Sequence, residues 1–118
     1  MILVDTSVWI DHLRTRNRKL VSLLDDDRVL VHPFIVGELA CGAMRNRDQI
    51  LGLLMALPMA RDAHHEEVLS LVGRRRLFGR GIGWVDAHLL ASAILSGARL
   101  FTLDKRLQRV AAALGVSA

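Results

Sequence analysis

The stretch MILVDTSVWI, residues 1–10, decides the fold. Residues 2–5 form a short apolar, β-branched-rich run that ends in Asp5-Thr6-Ser7, and such a triplet is a turn and helix N-cap signal. A strand therefore hands over directly to a helix carrying Val8, Trp9 and Leu13. Asp5 is the only charged side chain in the stretch. Carboxylates are rarely buried without a partner, because an uncompensated buried charge costs several kcal/mol or neutralises itself.

Outward from this segment the strand-then-helix pattern recurs. A second helix carries Leu20, Leu23 and Leu24 up to Asp25-Asp26-Asp27, and Val29–His32 reads as a strand. Pro33 suits the first turn of the next helix, which the pattern runs to about Met44. Asn46 and Gln49 form a capping-box-like start for a helix through Leu54. Pro58–Ala60 is at most a short strand, and Asp62 is the expected N-cap of a helix reaching about Leu77. A basic loop punctuated by Gly79, Gly81 and Gly83 follows. The helix from Trp84 to Ser96 is apolar nearly all round, which predicts burial. Arg99–Leu103 is a strand, and the last helix shows Leu107, Val110, Ala111 and Leu114 at helical spacing with Gly115 as its stop. Short strands alternating with helices predict an α/β sandwich on a central parallel sheet.

The totals agree. A chain of 118 residues supplies one hydrophobic core and too little for two, so residues 1–118 are expected to form a single domain. No apolar run approaches the roughly 20 residues of a membrane span, and the N-terminus lacks the layout of a signal peptide. A single cysteine, Cys41, makes no internal disulfide; it suits a reducing cytoplasm and reads as a small packed residue. The net charge is +4, and every basic side chain except Lys19 and Lys105 is arginine, a residue whose fork matches phosphate. Hydrophobic residues make up 52% of the chain, a surplus that implies a partner or self-association.

Three further carboxylates share the isolation of Asp5. Glu38 is the only charged residue from Pro33 to Met44, Asp86 the only one between Gly81 and Ala98, and Asp104 closes the run LFTLD. Asp5 and Asp104 end strands at the edge where open parallel sheets carry ligands. Asp86 lies in a first helical turn, whose amide dipoles favour negative charge. Singly, Asp5 and Asp104 read equally as N-caps and Asp86 as a dipole complement. A mid-helix Glu38 amid Phe34, Ile35, Val36, Leu39 and Ala40 needs a partner, so the four are expected to converge on a cation.

No other cluster competes. Asp25-Asp26-Asp27 precedes a strand and belongs to the opposite sheet edge, and His64-His65 lacks the spacing of a helical zinc pair. No Cys or second His stands at ligand spacing from His12, His32 or His88. Arg74-Arg75-Arg76 with Arg80 is the densest basic cluster, either a solvated face or a phosphate-contacting lip before Asp86. All-oxygen ligands suit hard ions such as Mg²⁺ or Mn²⁺. Such ions activate water and stabilise displacement at phosphorus, and among arginines the natural substrate is a nucleic acid backbone.

Four segments carry a resemblance: LVDTSVWID at 3–11, VGELACG at 36–42, GIGWVDAHLLASA at 81–93 and LFTLDKRL at 100–107. In order and spacing the chain resembles the PIN-domain ribonucleases, and within them the VapC-type toxins of prokaryotic toxin–antitoxin pairs. The resemblance implies an α/β/α fold, metal-dependent endonucleolytic cleavage of RNA, a homodimer, and inhibition by a small DNA-binding antitoxin. It carries the family's acidic quartet onto Asp5, Glu38, Asp86 and Asp104, and its supporting hydroxyls onto Thr6, Ser7 and Thr102. The chain departs from many relatives at Arg106, where they have a further acid. A PIN nuclease of RNA processing and a non-catalytic RNA-binding or interaction module are the alternative readings. A phosphoaspartyl phosphatase would need a second Asp two residues after Asp5, where Ser7 stands. The antitoxin groove is expected around Trp9, Ile10 and Leu13, with Trp9 as an exposed anchor.

Overall fold

The computed structural model describes residues 1–118. Its centre is a parallel sheet of three strands, β1 (Ile2–Val4), β2 (Val29–Leu30) and β3 (Arg99–Phe101), in the order β2-β1-β3. Leu3 pairs with Leu30 on one side and Leu100 on the other. Single parallel bridges widen the sheet at both edges, Val31 to Met59 beyond β2 and Leu100 to Ser117 beyond β3. The expected strand at Pro58–Ala60 is thus one bridge, held by Val31 N–H to Pro58 O (3.0 Å) and Ala60 N–H to Val31 O (2.8 Å). β1 is buried throughout, as parallel strands covered on both faces must be.

Seven helices wrap the sheet: α1 (Thr6–Thr15), α2 (Arg18–Asp25), α3 (Pro33–Cys41), α4 (Arg47–Met55), α5 (His65–Arg74), α6 (Trp84–Leu95) and α7 (Lys105–Ala113). Local chemistry fixes their starts. Asn17 Oδ1 accepts from Leu20 N–H to begin α2, and His32 Nδ1 accepts from Phe34 N–H with Pro33 in the first turn of α3. α6 buries every residue from Ala87 to Ala93, as its uniformly apolar sequence requires. Leu3, Val8, Leu20, Ile35, Leu89, Leu90 and Leu100 meet in the core.

Several elements end earlier than the sequence reading, β2 at Leu30, α5 at Arg74 and β3 at Phe101 among them, and three further differences have a local cause. α5 starts at His65, not after Asp62, because Glu67 Oε1 accepts from His64 N–H at 2.8 Å and fixes the cap there. Asn46 makes no side-chain cap; it adopts a left-handed conformation (φ 52°), and the Arg47 guanidinium instead ties α4 to Ala40 O. α3 stops at Cys41 because Gly42 is extended, which leaves Cys41 exposed and not packed. No helix is long and apolar enough to cross a membrane.

Candidate active site

The C-terminal ends of β1 and β3 deliver Asp5 and Thr102 side by side. Asp5 N–H continues the ladder to Phe101 O at 2.9 Å, so the residue leaves the sheet with its side chain already directed. Asp5 occupies the N-cap position of α1, yet its carboxylate caps nothing. Oδ2 accepts instead from Ser7 Oγ (2.7 Å) and Thr102 Oγ1 (2.8 Å). Asp5 and Thr102 are both buried. Thr102 Oγ1 in turn accepts from Asp104 N–H (3.1 Å), and Ser7 Oγ from Leu103 N–H (3.0 Å). One hydroxyl network therefore joins the first acid to the last, across nearly the whole chain.

The other acids stand around this network. Asp104 caps α7, its Oδ1 accepting from Arg106 and Leu107 N–H, so the capping reading of that residue is correct and coexists with its place at the site. Asp86, half-buried at the third residue of α6, accepts from Gly83 N–H at 3.1 Å. Burial raises its carboxyl above the usual aspartate range against that hydrogen bond, and the charges of Asp5 and Asp104 raise it further. Glu38, on α3, accepts from Thr6 Oγ1 at 2.8 Å, which brings it to the same edge. Glu38 and Asp104 are exposed, so their isolation in sequence does not reflect burial.

Each acid is engaged by a local donor, and as the side chains stand no three of them close on a single point. None forms an ion pair with Lys or Arg; the pairs in the molecule are His32–Asp62 and Arg47–Asp48. An all-oxygen set, uncompensated, with one member half-buried and raised, fits a hard divalent cation better than any other charge partner. To share one, Glu38, Asp86 and Asp104 would have to turn from their present positions, while Asp5 is held by its two hydroxyl donors.

The remaining expectations divide. Ile10 and Leu13 are exposed and, with Arg14, Met44 and Ile50, line a cleft of about 660 Å³ between α1 and α3–α4 that runs up to Glu38. Trp9 points the other way: it is 5% exposed and packs in the core, so it is no exposed anchor. The apolar face of α1 is used twice, Val8 and Trp9 inward and Ile10 and Leu13 outward. The basic cluster is also displaced. α5 begins at the ring contact of His65 with Trp84 near the acids and carries Arg74 to its far end. Arg75 reaches Ala113 O at the last residue of α7, about 12 Å along that helix from its acidic start. Arg74, Arg75 and Arg76 therefore do not form a lip at Asp86; Arg80 is exposed in the loop before α6.

Sequence reasoning missed Gln108, whose amide donates to Thr102 O at 2.7 Å and locks that residue from α7. It also missed a row of rings along the same sheet edge. His32, Phe34, His88, Trp84 and His65 meet in succession at centroid distances of 4.8–5.0 Å. Burial lowers the pKa of His32 and His88: Asp62, 3.7 Å from His32 Nε2, opposes this, and a neighbouring histidine (His88 for His32, His65 for His88) adds to it. Nothing in the periodicity marks residues so far apart in sequence as neighbours.

A strand-end aspartate locked by hydroxyls, with three more acids at the edge of a parallel sheet, defines a class. The family model described as PIN domain matches residues 2–113, and the chain belongs to that family. Its likeness to individual proteins narrows this to the VapC-type ribonucleases. It is 55% identical to Ribonuclease VapC32 of Mycobacterium tuberculosis, in strains CDC 1551 and H37Rv alike, over 99% of this chain and 95% of the relative.

Proposed function

We propose that the chain is a metal-dependent endoribonuclease and the toxin of a type II toxin–antitoxin pair, working in the cytoplasm as one domain over residues 1–118. The observation that carries the reading is the shared network of Asp5, Ser7, Thr102 and Asp104 beside the raised carboxyl of Asp86. Asp5, Glu38, Asp86 and Asp104 would hold Mg²⁺ or Mn²⁺. When bound, the ion supplies charge stabilisation at phosphorus and a water of lowered pKa. Ser7 and Thr102 hold the Asp5 carboxylate by two donated hydrogen bonds, so it presents one orientation. Thr6 holds Glu38 in the same way, and Gly83 N–H holds Asp86. These bonds keep four like charges together until a cation and a phosphodiester arrive.

The cleft from Ile10 and Leu13 to Glu38 suits an amphipathic segment of the antitoxin, apolar along its length and able to place a cation against Glu38 at its end. Phe34 and Trp84, each 40% exposed, and Leu69, 52% exposed, give the α3, α5 and α6 side an apolar surface that supports a homodimer. The test is cleavage of RNA by purified protein with Mn²⁺, compared with Asp5→Asn and Asp86→Asn. Both variants should fold, retain antitoxin binding and lose cleavage. Cleavage by either at the wild-type rate refutes the reading.

A further inference from the structure

Arg106 follows the acidic cap of α7 by two residues, and its backbone N–H is one of the two that Asp104 Oδ1 accepts. The side chain does not run out along the helix. It turns back over the Gly79–Gly83 loop, where a Cβ on Gly81 would stand 2.7 Å from Arg106 Cδ and 3.3 Å from Nε and Nη1. The stem of Arg106 thus fills the space a side chain at Gly81 would take. Gly81 also holds φ at +80°, a conformation that other residues rarely adopt. Two segments of the site meet through this contact: the loop that leads through Gly83 to Asp86, and the helix start capped by Asp104.

The guanidinium makes no hydrogen bond and no ion pair, although it starts a helix beside its own acidic cap. Arginine ordinarily closes bidentately on a carboxylate within reach. Here Asp104 Oδ1 takes two backbone amides and Asp86 Oδ2 takes Gly83 N–H, yet the guanidinium closes on neither acid and its stem packs over Gly81 instead. A planar fork of donors, exposed and unpaired beside the acidic cap of α7, matches a phosphate. A polyanion approaching four carboxylates also needs a cation of the protein's own at that rim.

We propose that Arg106, braced on Gly81, binds the phosphate group on which the carboxylates act. The proposal rests on the ribonuclease reading above. Arg106 draws the backbone to the acids and stabilises the charge that builds on the non-bridging oxygens during hydrolysis, and a side chain at Gly81 would displace its stem.

The test uses a fluorophore–quencher pool of random-sequence single-stranded RNA with Mn²⁺. Arg106→Ala should lower kcat/KM by about 100-fold, as loss of a transition-state donor does, with Arg106→Lys between it and wild type. The fall of log kcat/KM with log salt should become shallower by about 0.7, the share of one phosphate contact on a single strand. Binding of the same pool to Asp86→Asn protein, read by fluorescence anisotropy, should weaken when Arg106→Ala is added. The melting shift produced by Mn²⁺ should not change. Arg106→Gln, which keeps the stem over Gly81, should match Arg106→Ala in activity. Gly81→Ala should lower activity too, and by much less in the Arg106→Ala background. An Arg106→Ala enzyme with wild-type kcat/KM and salt dependence overturns the proposal. So does loss of the Mn²⁺ shift, which would make Arg106 a support for the acids. Should the wild type itself not cleave, with Asp86→Asn no different, the ribonuclease reading fails and this proposal falls with it.

Discussion

Replacing Thr102 by valine removes one hydroxyl and leaves the branched shape of the side chain. That hydroxyl donates to buried Asp5 at 2.8 Å and accepts from Asp104 N–H at 3.1 Å. A hydrogen bond to a charged group contributes about 1.5–3 kcal/mol. Asp5 keeps its bond from Ser7 and Asp104 is exposed, so neither is left wholly without partners. The expected loss is therefore about 2–3 kcal/mol, with no further orphan penalty. For 118 residues the unfolding entropy is ~0.25 kcal/mol/K, which converts the loss to a fall in Tm of roughly 8–12 °C. Thr102→Ser keeps the hydroxyl and loses one methyl, a cost of about 1 kcal/mol, or roughly 4 °C. Cleavage should separate the pair more widely. Valine frees the Asp5 carboxylate to rotate, and loss of such a support costs about 10- to 100-fold in activity or metal affinity; serine should stay near wild type. Differential scanning calorimetry of the metal-free proteins and RNA cleavage with Mn²⁺ measure both. If valine melts above serine, or cuts RNA as fast, the hydroxyl does not hold Asp5 and the reasoning is wrong.

Asp86→Asn should raise the metal-free Tm at neutral pH. The folded state holds the Asp86 proton more tightly than the unfolded chain does, so stability from it is present at low pH and is lost as pH rises from the ordinary aspartate value through the raised one. The gap between mutant and wild type should close below about pH 3.9; a mutant less stable than wild type at pH 7 contradicts the shift. Mn²⁺ or Mg²⁺ at 100-fold over Kd should stabilise the wild type by about 2.7 kcal/mol, and Asp5→Asn should blunt the effect; a melting curve that answers to Zn²⁺ alone would exclude a hard-ion site. Trp9→Ala should cost about 3–5 kcal/mol as a core cavity, whereas Ile10→Arg should melt near wild type and weaken antitoxin binding in a titration. Sedimentation should give a dimer that Trp84→Arg dissociates, and a Trp84→Arg protein that still sediments as a dimer places the interface elsewhere.

The strand-to-helix alternation was legible because the parallel strands are apolar apart from Arg99 and each is soon followed by a turn or cap residue. The acids were legible for a related reason, since Asp5 and Asp86 interrupt runs that the core requires to be apolar. Glu38 and Asp104 were found by the same pattern although they are exposed, because Ile35 and Leu39 on α3 and Leu100 and Phe101 on β3 are buried and keep the surrounding runs apolar. What stayed hidden depends on direction. Trp9 and Ile10 are adjacent in sequence and equally apolar, and only the turn of α1 sends one inward and the other to the cleft. Arg75 stands eleven positions before Asp86 in sequence, yet α5 has carried it to the other end of the sheet. The Gly81–Arg106 contact joins residues that no local rule relates.

The pairing of β1 with β3 sets a schedule for biosynthesis. The central strand leaves the ribosome well before β3, the strand that leads to Thr102. Until Arg99–Phe101 emerges, one side of β1 lacks its neighbour, Asp5 has only Ser7, and Asp104 does not yet exist. Synthesis at roughly 5–20 residues per second leaves most of the chain waiting for several seconds in that state. A product cut short before Arg99 therefore lacks both Thr102 and Asp104, and with them half of the hydrogen-bonded network around Asp5.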